Sequence, residues 1–331
     1  MTTPSARIAL LALPLFFAPG LAGPAAAAQK ATFTITDPRG DDHGDGTLLY
    51  PRRNDLKRGD LDLLSLSARD DDAGTWFEAT FARTIQKPER RPIDDGGTLL
   101  SDFARFGFYA FNIDIYVDID RKPGSGNTET LPGRKAEVDP AFAWEKAICL
   151  TPRPYAAQEQ LKKVFEKRER ASALVSKGGV KGTLGTDEKK EIRTEVRRAV
   201  DEQVFFPSKI TVAGPSIRFF VPASFLGGPA RADWAYAMAV SVCWINQGFD
   251  LAVAIGVKEA QEPGLYIMDV SPGLPSDRLG TQNEDPLLPP LLDIVVPPGM
   301  TQEKVLADDD PRAGRLVRIP GVVPAELAPA K

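Results

Sequence analysis

The strictest pattern in the chain is the alternation of apolar and polar side chains in residues 111–120, FNIDIYVDID. An isoleucine or valine stands at every second position from 113 to 119, and larger or polar residues stand between them. Successive side chains of a β-strand point to opposite faces of its sheet, so this period of two predicts a strand. The rest of the chain must therefore supply neighbouring strands that pair with it.

Several other short segments show strand patterns, and turn residues separate them. Side chains alternate in residues 31–37 and again in residues 232–244. The leucines of residues 60–68 change phase, which predicts a bulge, and residues 209–227 predict a hairpin. Many short strands without an alternating strand–helix pattern predict a mainly β fold, specifically an antiparallel β-sandwich.

Residues 155–204 interrupt this β pattern. Apolar residues recur there at helical spacing: Leu161, Phe165, Leu174, Ile192, Val196 and Val200. A glycine-rich segment divides them, and Thr186 is the predicted N-cap of the second helix. We expect an α-helical hairpin inserted between two strands, whose many charges either face solvent or bind a protein partner.

The first 28 residues predict export. An arginine precedes an apolar run at residues 8–22, and small residues precede Gln29, as in a cleavable signal peptide. The predicted domain spans residues 29–323, and residues 324–331 form a tail. No later stretch is long and apolar enough to span a bilayer. A periplasmic or extracellular location is expected.

Composition narrows the possible functions. The formal net charge of −4 gives no basic footprint for nucleic acid. His43 is the only histidine, and motifs of serine hydrolases or zinc proteases are absent from the sequence. A glycosidase needs only two carboxylates, so an unrecognised polysaccharide hydrolase remains an alternative. Cys149 and Cys243 either form a disulfide or remain buried thiols.

Residues 36–51, TDPRGDDHGDGTLLYP, crowd aspartates among glycines. The acidic residues are Asp37, Asp41, Asp42 and Asp45. Carboxylates at this density repel one another, and Ca²⁺ takes about six to eight oxygen ligands in flexible loops. Two alternatives remain open: aspartates that only cap turns, and a zinc site that uses His43.

The order of these segments resembles the glucodextranase C-terminal domain family. The most specific stretches are TDPRGDDHGDGTLLYP, GDLDLLSLSA and EDPLLPPLLDIVVPPGMTQEKVL, and the resemblance covers nearly all of residues 30–323 outside the helical insertion. That family is similar to family 9 carbohydrate-binding modules and DOMON-like domains. The resemblance implies a DOMON-like β-sandwich without catalytic activity, associated with carbohydrate or the cell envelope.

The resemblance also implies a structural calcium. Its implied ligands are Asp37, Asp41, Asp42 and Asp62. The sequence itself offers Asp45, Asp118 and Asp120 as secondary candidates. A sugar ligand would need aromatic side chains for stacking, and we select Trp76, Trp144 and Tyr109 for this role. The alternative to glycan binding is a periplasmic structural or interaction protein that uses residues 155–204 as its partner surface.

Overall fold

The computed structural model describes residues 31–93, 97–178, 183–245, 264–273, 278–283, 285 and 287–327. The predicted signal peptide at residues 1–28 and the last four residues of the tail lie outside the described residues. The fold is mainly β, as the sequence predicts, with few helices. Most strand pairs in the described residues are antiparallel, and three are parallel: Lys146–Leu150 with Val204–Phe205, Val270–Pro272 with Leu279–Thr281, and Ala136–Val138 with Val317–Ile319. Within the described residues, every helix is too short or too polar to cross a bilayer.

The first five-stranded sheet is antiparallel throughout. Its strands, in order across the sheet, are β1 (Phe33–Thr36), β3 (Leu63–Asp71), β4 (Gly74–Phe81), β10 (Ser216–Pro222) and β9 (Ile210–Ala213). The β3–β4 register shifts between Leu63 and Ser65, which confirms the predicted bulge. The pairing of β9 with β10 confirms the predicted hairpin.

The second five-stranded sheet contains the alternating segment at its centre. Its strands, in order, are β14 (Asp293–Ile294), β11 (Ala235–Val242), β5 (Phe111–Asp118), β7 (Lys146–Leu150) and β8 (Val204–Phe205). All eight residues of β5 are buried, so its polar face is covered as completely as its apolar face.

Each face of β5 borders a different apolar cluster. Ile113 and Ile115 lie in a first cluster with side chains of both five-stranded sheets. In that cluster the Phe81 and Phe111 rings lie 4.7 Å apart between centroids. Tyr116, on the opposite face of β5, lies in a second cluster that includes residues of the helical insertion. The second sheet is therefore covered on both sides.

The helical insertion is a hairpin, as predicted. It consists of α2 (Pro154–Ser176) and α3 (Thr186–Gln203), which contact each other, and Leu161 and Val200 lie in the second apolar cluster. The predicted N-cap was wrong by one residue. Gly185 is the N-cap and Thr186 begins the helix, because Glu188 accepts the Gly185 backbone N–H at 2.9 Å.

Short elements complete the described chain. Two small sheets consist of β12 (Val270–Pro272), β13 (Leu279–Thr281) and β2 (Leu48–Leu49), and of β15 (Val317–Ile319) and β6 (Ala136–Val138). The short helices are α1 (Leu100–Phe103), α4 (Ala223–Leu226) and α5 (Gln302–Leu306), with 3-10 turns at Pro140–Phe142 and Pro324–Glu326. Helix α5 follows the proline-rich stretch PPLLDIVVPP.

The two cysteines are free thiols, so the disulfide alternative was wrong. Cys149 lies in β7 and Cys243 follows β11, and β5 runs between these strands. Neighbouring strands lie about 4.8 Å apart, so strands two positions apart exceed the roughly 7 Å limit for a disulfide. Both thiols are buried, and burial raises their pKa values.

The polar face of β5 carries a buried ion pair. Arg134 donates to Asp114 from Nε at 2.7 Å and from Nη2 at 3.0 Å, and both side chains are almost fully buried. The remaining donor atom, Nη1, reaches the carbonyl oxygens of Pro132 and Gly264. The pair satisfies the charge of Asp114 inside the second cluster.

Candidate metal centre and ligand cavity

Three aspartates from distant parts of the chain converge beside the first strand. Asp37 directly follows β1, Asp41 lies in the glycine-rich loop, and Asp293 begins β14. One carboxylate oxygen from each lies within 4.8 Å of the others. Strand β1 and strand β14 belong to different sheets, so this cluster forms only when both sheets are assembled.

Several carboxylate oxygens in and beside the loop of residues 36–51, the acidic loop, lack hydrogen-bond partners in the described chain. Buried oxygens without a hydrogen-bond partner there are both of Asp37 and one each of Asp41, Asp42, Asp62 and Asp293. Buried polar atoms are normally paired, because an unsatisfied one costs about 1–3 kcal/mol or more when charged. The arrangement therefore lacks positive charge or donors at this point.

Burial and repulsion from neighbouring carboxylates raise the pKa values of all three carboxyl groups in this cluster. Burial and then the charge of Asp41 raise the pKa of Asp37 to about 8. Burial likewise raises the pKa of Asp41 to about 6. The pKa of Asp293 is raised well above its usual range by burial and by both other carboxylates. These groups resist ionisation together unless a cation accompanies them.

Asp42 and Asp62 flank the three-carboxylate group and already have structural partners. Asp42 accepts the Tyr50 hydroxyl at 2.5 Å and the Gly59 backbone N–H at 2.6 Å. Asp62 accepts the Gly40 backbone N–H at 2.9 Å. Each uses Oδ2 for these bonds and leaves Oδ1 unpaired among the described residues. They hold the loop closed and still offer one oxygen each.

Gln302 attaches the acidic loop to β14. Its amide nitrogen donates to the backbone carbonyls of Asp41, Gly44 and Leu292, and its carbonyl accepts the Ile294 N–H at 2.6 Å. Gly44 allows this close approach. Its φ is +63°, and a Cβ there would lie 2.9 Å from the Leu291 carbonyl oxygen.

The histidine points away from the carboxylate cluster. His43 Nδ1 lies 3.2 Å from Arg58 Nη2, and its Nε2 lies 3.3 Å from Glu303 Oε1. Neither ring nitrogen belongs to the three-carboxylate group. The donor set is thus entirely oxygen, which suits a hard cation such as Ca²⁺ better than zinc.

The secondary candidates have other surroundings. Asp45 caps a turn, because its carboxylate accepts the Thr47 N–H at 2.9 Å and the Thr47 hydroxyl at 2.8 Å. Asp118 and Asp120 form a second acidic group with Glu145, again within 4.8 Å. Arg121 and Lys122 already form ion pairs with these two aspartates, so this group carries less uncompensated charge.

The three selected aromatic residues lie in three different environments. Trp144 is buried against Tyr116 and donates its indole N–H to the Glu129 carbonyl at 3.1 Å. Trp76 is half-buried and packs against Phe220 with the two rings tilted, and the amino group of Lys209 lies 4.7 Å from the Trp76 ring.

Tyr109 is as buried as Trp144, but it also lies in the wall of a cavity of about 710 Å³. The Tyr109 hydroxyl lies 3.3 Å from Gln86 Oε1, and burial raises its pKa to about 12. A cavity of this size falls within the roughly 300–1,000 Å³ typical of small-ligand sites.

The cavity wall combines two aromatic side chains, Tyr109 and Trp244, with a hydrogen-bonded group of charged residues. Trp244 is half-buried at the wall. Arg53 donates to Asp55 through Nε and Nη2, both at 2.8 Å, and Arg91 donates to the same carboxylate at 2.7 Å. Bidentate pairs of this kind fix the positions of donors and acceptors.

The family model described as the C-terminal binding module, SLH-like, of glucodextranase matches residues 32–320. The chain belongs to this family. The match confirms the resemblance that the sequence suggests, and it names a binding module rather than a catalytic domain. No curated protein sequence matches the chain.

In this glucodextranase C-terminal family member, the matched region includes two site residues that the sequence reasoning missed. Asp293 completes the three-carboxylate group and Gln302 attaches the loop. A signal for Asp293 was available, since it is the lone acidic residue in the apolar run PPLLDIVVPP. For Gln302 no comparable local signal exists, because its side chain acts on distant backbone.

Proposed function

We propose that this protein is a secreted, non-catalytic module that binds carbohydrate, either a free polysaccharide or a glycan of the cell envelope. The observation that carries this proposal is the match of residues 32–320 to a family described as a binding module of glucodextranase. A second support is the cavity of about 710 Å³, whose wall offers an indole face and several polar side chains. Sugars are recognised by such a combination.

The scaffold for this function is a DOMON-like β-sandwich in our proposal. Its support is the shared apolar cluster, to which side chains of both five-stranded sheets contribute. The Phe33 and Tyr236 rings, one from each sheet, lie 4.9 Å apart between centroids. Sheets that pack face to face interdigitate their inner side chains in this way.

The proposal includes a structural calcium held by Asp37, Asp41 and Asp293, with Asp42 and Asp62 able to contribute one oxygen each. Its support is the set of buried carboxylate oxygens that lack a partner in the described chain. The ion would neutralise the cluster and link the loop after β1 to β14. It would have no catalytic role.

The helical hairpin is less suited to a charged partner than its composition suggests. Two of its ion pairs join α2 to α3: Arg197 with Glu159 at 2.7 Å, and Lys162 with Asp201 at 2.7 Å. These charges are used within the hairpin. A role as a protein-binding surface therefore stands second to glycan binding.

The test of the proposed function is binding and turnover with the purified protein. Affinity gels and pull-downs with α-glucans, other soluble polysaccharides and cell-envelope glycan should show retention of the protein, and reducing ends should not accumulate. Absence of binding to every glycan would overturn the proposal. Sustained release of reducing sugar, including from protein treated with chelator, would instead support the hydrolase alternative.

Intact mass of exported protein tests the predicted loss of 28 residues.

A further inference from the structure

We infer that the cavity beside Trp244 is the glycan-binding site and that it takes a short, neutral oligosaccharide. The inference rests on the proposed glycan-binding function and specifies its location and ligand class. The cavity lies where three loops meet: the segment after β2, the segment after β4, and the end of β11. Its volume of about 710 Å³ suits a ligand larger than a single sugar ring.

The charges on the wall select for a neutral ligand. Arg53 and Arg91 are both bound to Asp55, and Glu89 adds a second negative charge at the rim. Among the described lining residues, two cations and two anions give no net charge. Asp55 already balances part of the charge of both arginines, and a carboxylate or phosphate on the ligand would face the carboxylates of Asp55 and Glu89.

The polar groups of the cavity wall can still form hydrogen bonds with the hydroxyl groups of a sugar. An ionised carboxylate can accept up to about four hydrogen bonds, so Asp55 retains acceptor capacity beside its two arginines. Gln86 offers both a donor and an acceptor, and its position is set by the Tyr109 hydroxyl at 3.3 Å. Trp244 supplies an apolar face of the size that stacks on a pyranose ring.

The aromatic pair on the first sheet is a less suitable competitor. Trp76 and Phe220 are tilted by 57° to each other, so they do not present one flat surface. Lys209 lies 4.5 Å from the Phe220 ring and 4.7 Å from the Trp76 ring. That pair lies on strands β4 and β10, away from the cavity beside Trp244, which makes Trp76 the matched control for Trp244.

The experiment titrates the full mature chain with two neutral trimers, maltotriose and isomaltotriose. A trimer of glucuronic acid is the acidic ligand for comparison. Calorimetry gives affinity, and tryptophan fluorescence reports local binding. We expect neutral trimers to bind, the acidic trimer to bind at least tenfold more weakly, and Trp244→Ala and Gln86→Ala each to weaken neutral binding at least tenfold. Trp76→Ala should retain wild-type affinity.

Gln86→Ala serves as the second variant in case Trp244→Ala fails to fold, because Gln86 lies on a partly exposed loop. If both cavity variants bind polysaccharide as tightly as wild type does, the cavity is not the glycan-binding site, and the proposed function stands. Stronger binding of the acidic trimer would overturn the neutral ligand class. If wild type binds no glycan in gels or in solution, the proposed function and this inference fail together.

Discussion

The carboxyl groups of Asp37 and Asp293 share one buried site although the two residues lie near opposite ends of the described chain. Asp293 accepts the Leu63 backbone N–H at 2.7 Å with one oxygen and leaves the other without a partner in the described part of the chain. This arrangement joins β14 to β3 and to the end of β1. The stability of this site depends on which positive charge or proton balances the buried carboxylates.

Calcium should stabilise the protein through this cluster. An ion that binds only the folded state adds about 2.7 kcal/mol at a hundredfold excess over its Kd. With an unfolding entropy of about 2.1 cal/mol/K per residue, a chain of this size should melt roughly 4 °C higher. Differential scanning fluorimetry with calcium and with chelator measures the shift. An unchanged melting temperature in both would contradict the calcium proposal.

Asp293→Asn should have opposite effects on the stability of the metal-free protein and on the stability gained from calcium. Removal of one of three buried, mutually repelling carboxylates should leave the metal-free protein as stable as wild type or more stable, because a neutral amide costs less to bury. The same change should abolish most of the calcium increment. His43→Ala and Asp118→Ala are matched controls that should keep the increment. Loss of the increment in Asp118→Ala alone would move the site to the second acidic group.

The metal-free protein should lose stability as the pH rises. The pKa of Asp37 is raised to about 8 and that of Asp41 to about 6, against about 3.9 in the unfolded chain. The folded state therefore holds more protons than the unfolded state over this interval, and the slope of stability against pH is negative. Urea unfolding in chelator at pH 5, 6.5 and 8 should show this decline. Saturating calcium should reduce it, and a rise in stability with pH in chelator would contradict these shifts.

Gln302→Ala should destabilise the protein by more than about 2 kcal/mol. The change removes hydrogen bonds to three backbone carbonyls and to the Ile294 N–H, and each buried group left unsatisfied costs about 1–3 kcal/mol. Glu303→Ala is the control, because its contact with His43 is a partly exposed pair worth about 0–1 kcal/mol. Equal unfolding midpoints in urea for the two variants would show that Gln302 does not anchor the loop.

Arg134→Met should cost about 3–5 kcal/mol, because it leaves the Asp114 carboxylate buried without its partner. Replacing both residues, as Arg134→Met with Asp114→Val, should recover much of this loss, since an apolar pair carries no desolvation penalty. Arg231→Ala, which breaks an exposed pair with Asp233, should leave the unfolding midpoint close to that of wild type. Chemical unfolding of the four proteins provides the comparison.

Local patterns were sufficient to predict much of the fold. The alternation in residues 111–120 predicted β5, the phase change in residues 60–68 predicted the bulge in β3, and the apolar spacing in residues 155–204 predicted the hairpin of α2 and α3. Each depends on side chains that lie within a few positions of one another. The cluster of aspartates after β1 was visible for the same reason.

Periodicity and composition alone predict the mainly β fold, the helical insertion and the acidic loop. Three further features emerge only from the folded chain: Asp293 and Gln302 meet this loop, β5 separates Cys149 from Cys243, and Trp244 shares a cavity with Asp55. Strand order and the packing of both faces of a sheet bring distant segments together. Such contacts cannot be predicted from the periodicity of either segment, because periodicity reflects only the local strand or helix and not its partner in the fold.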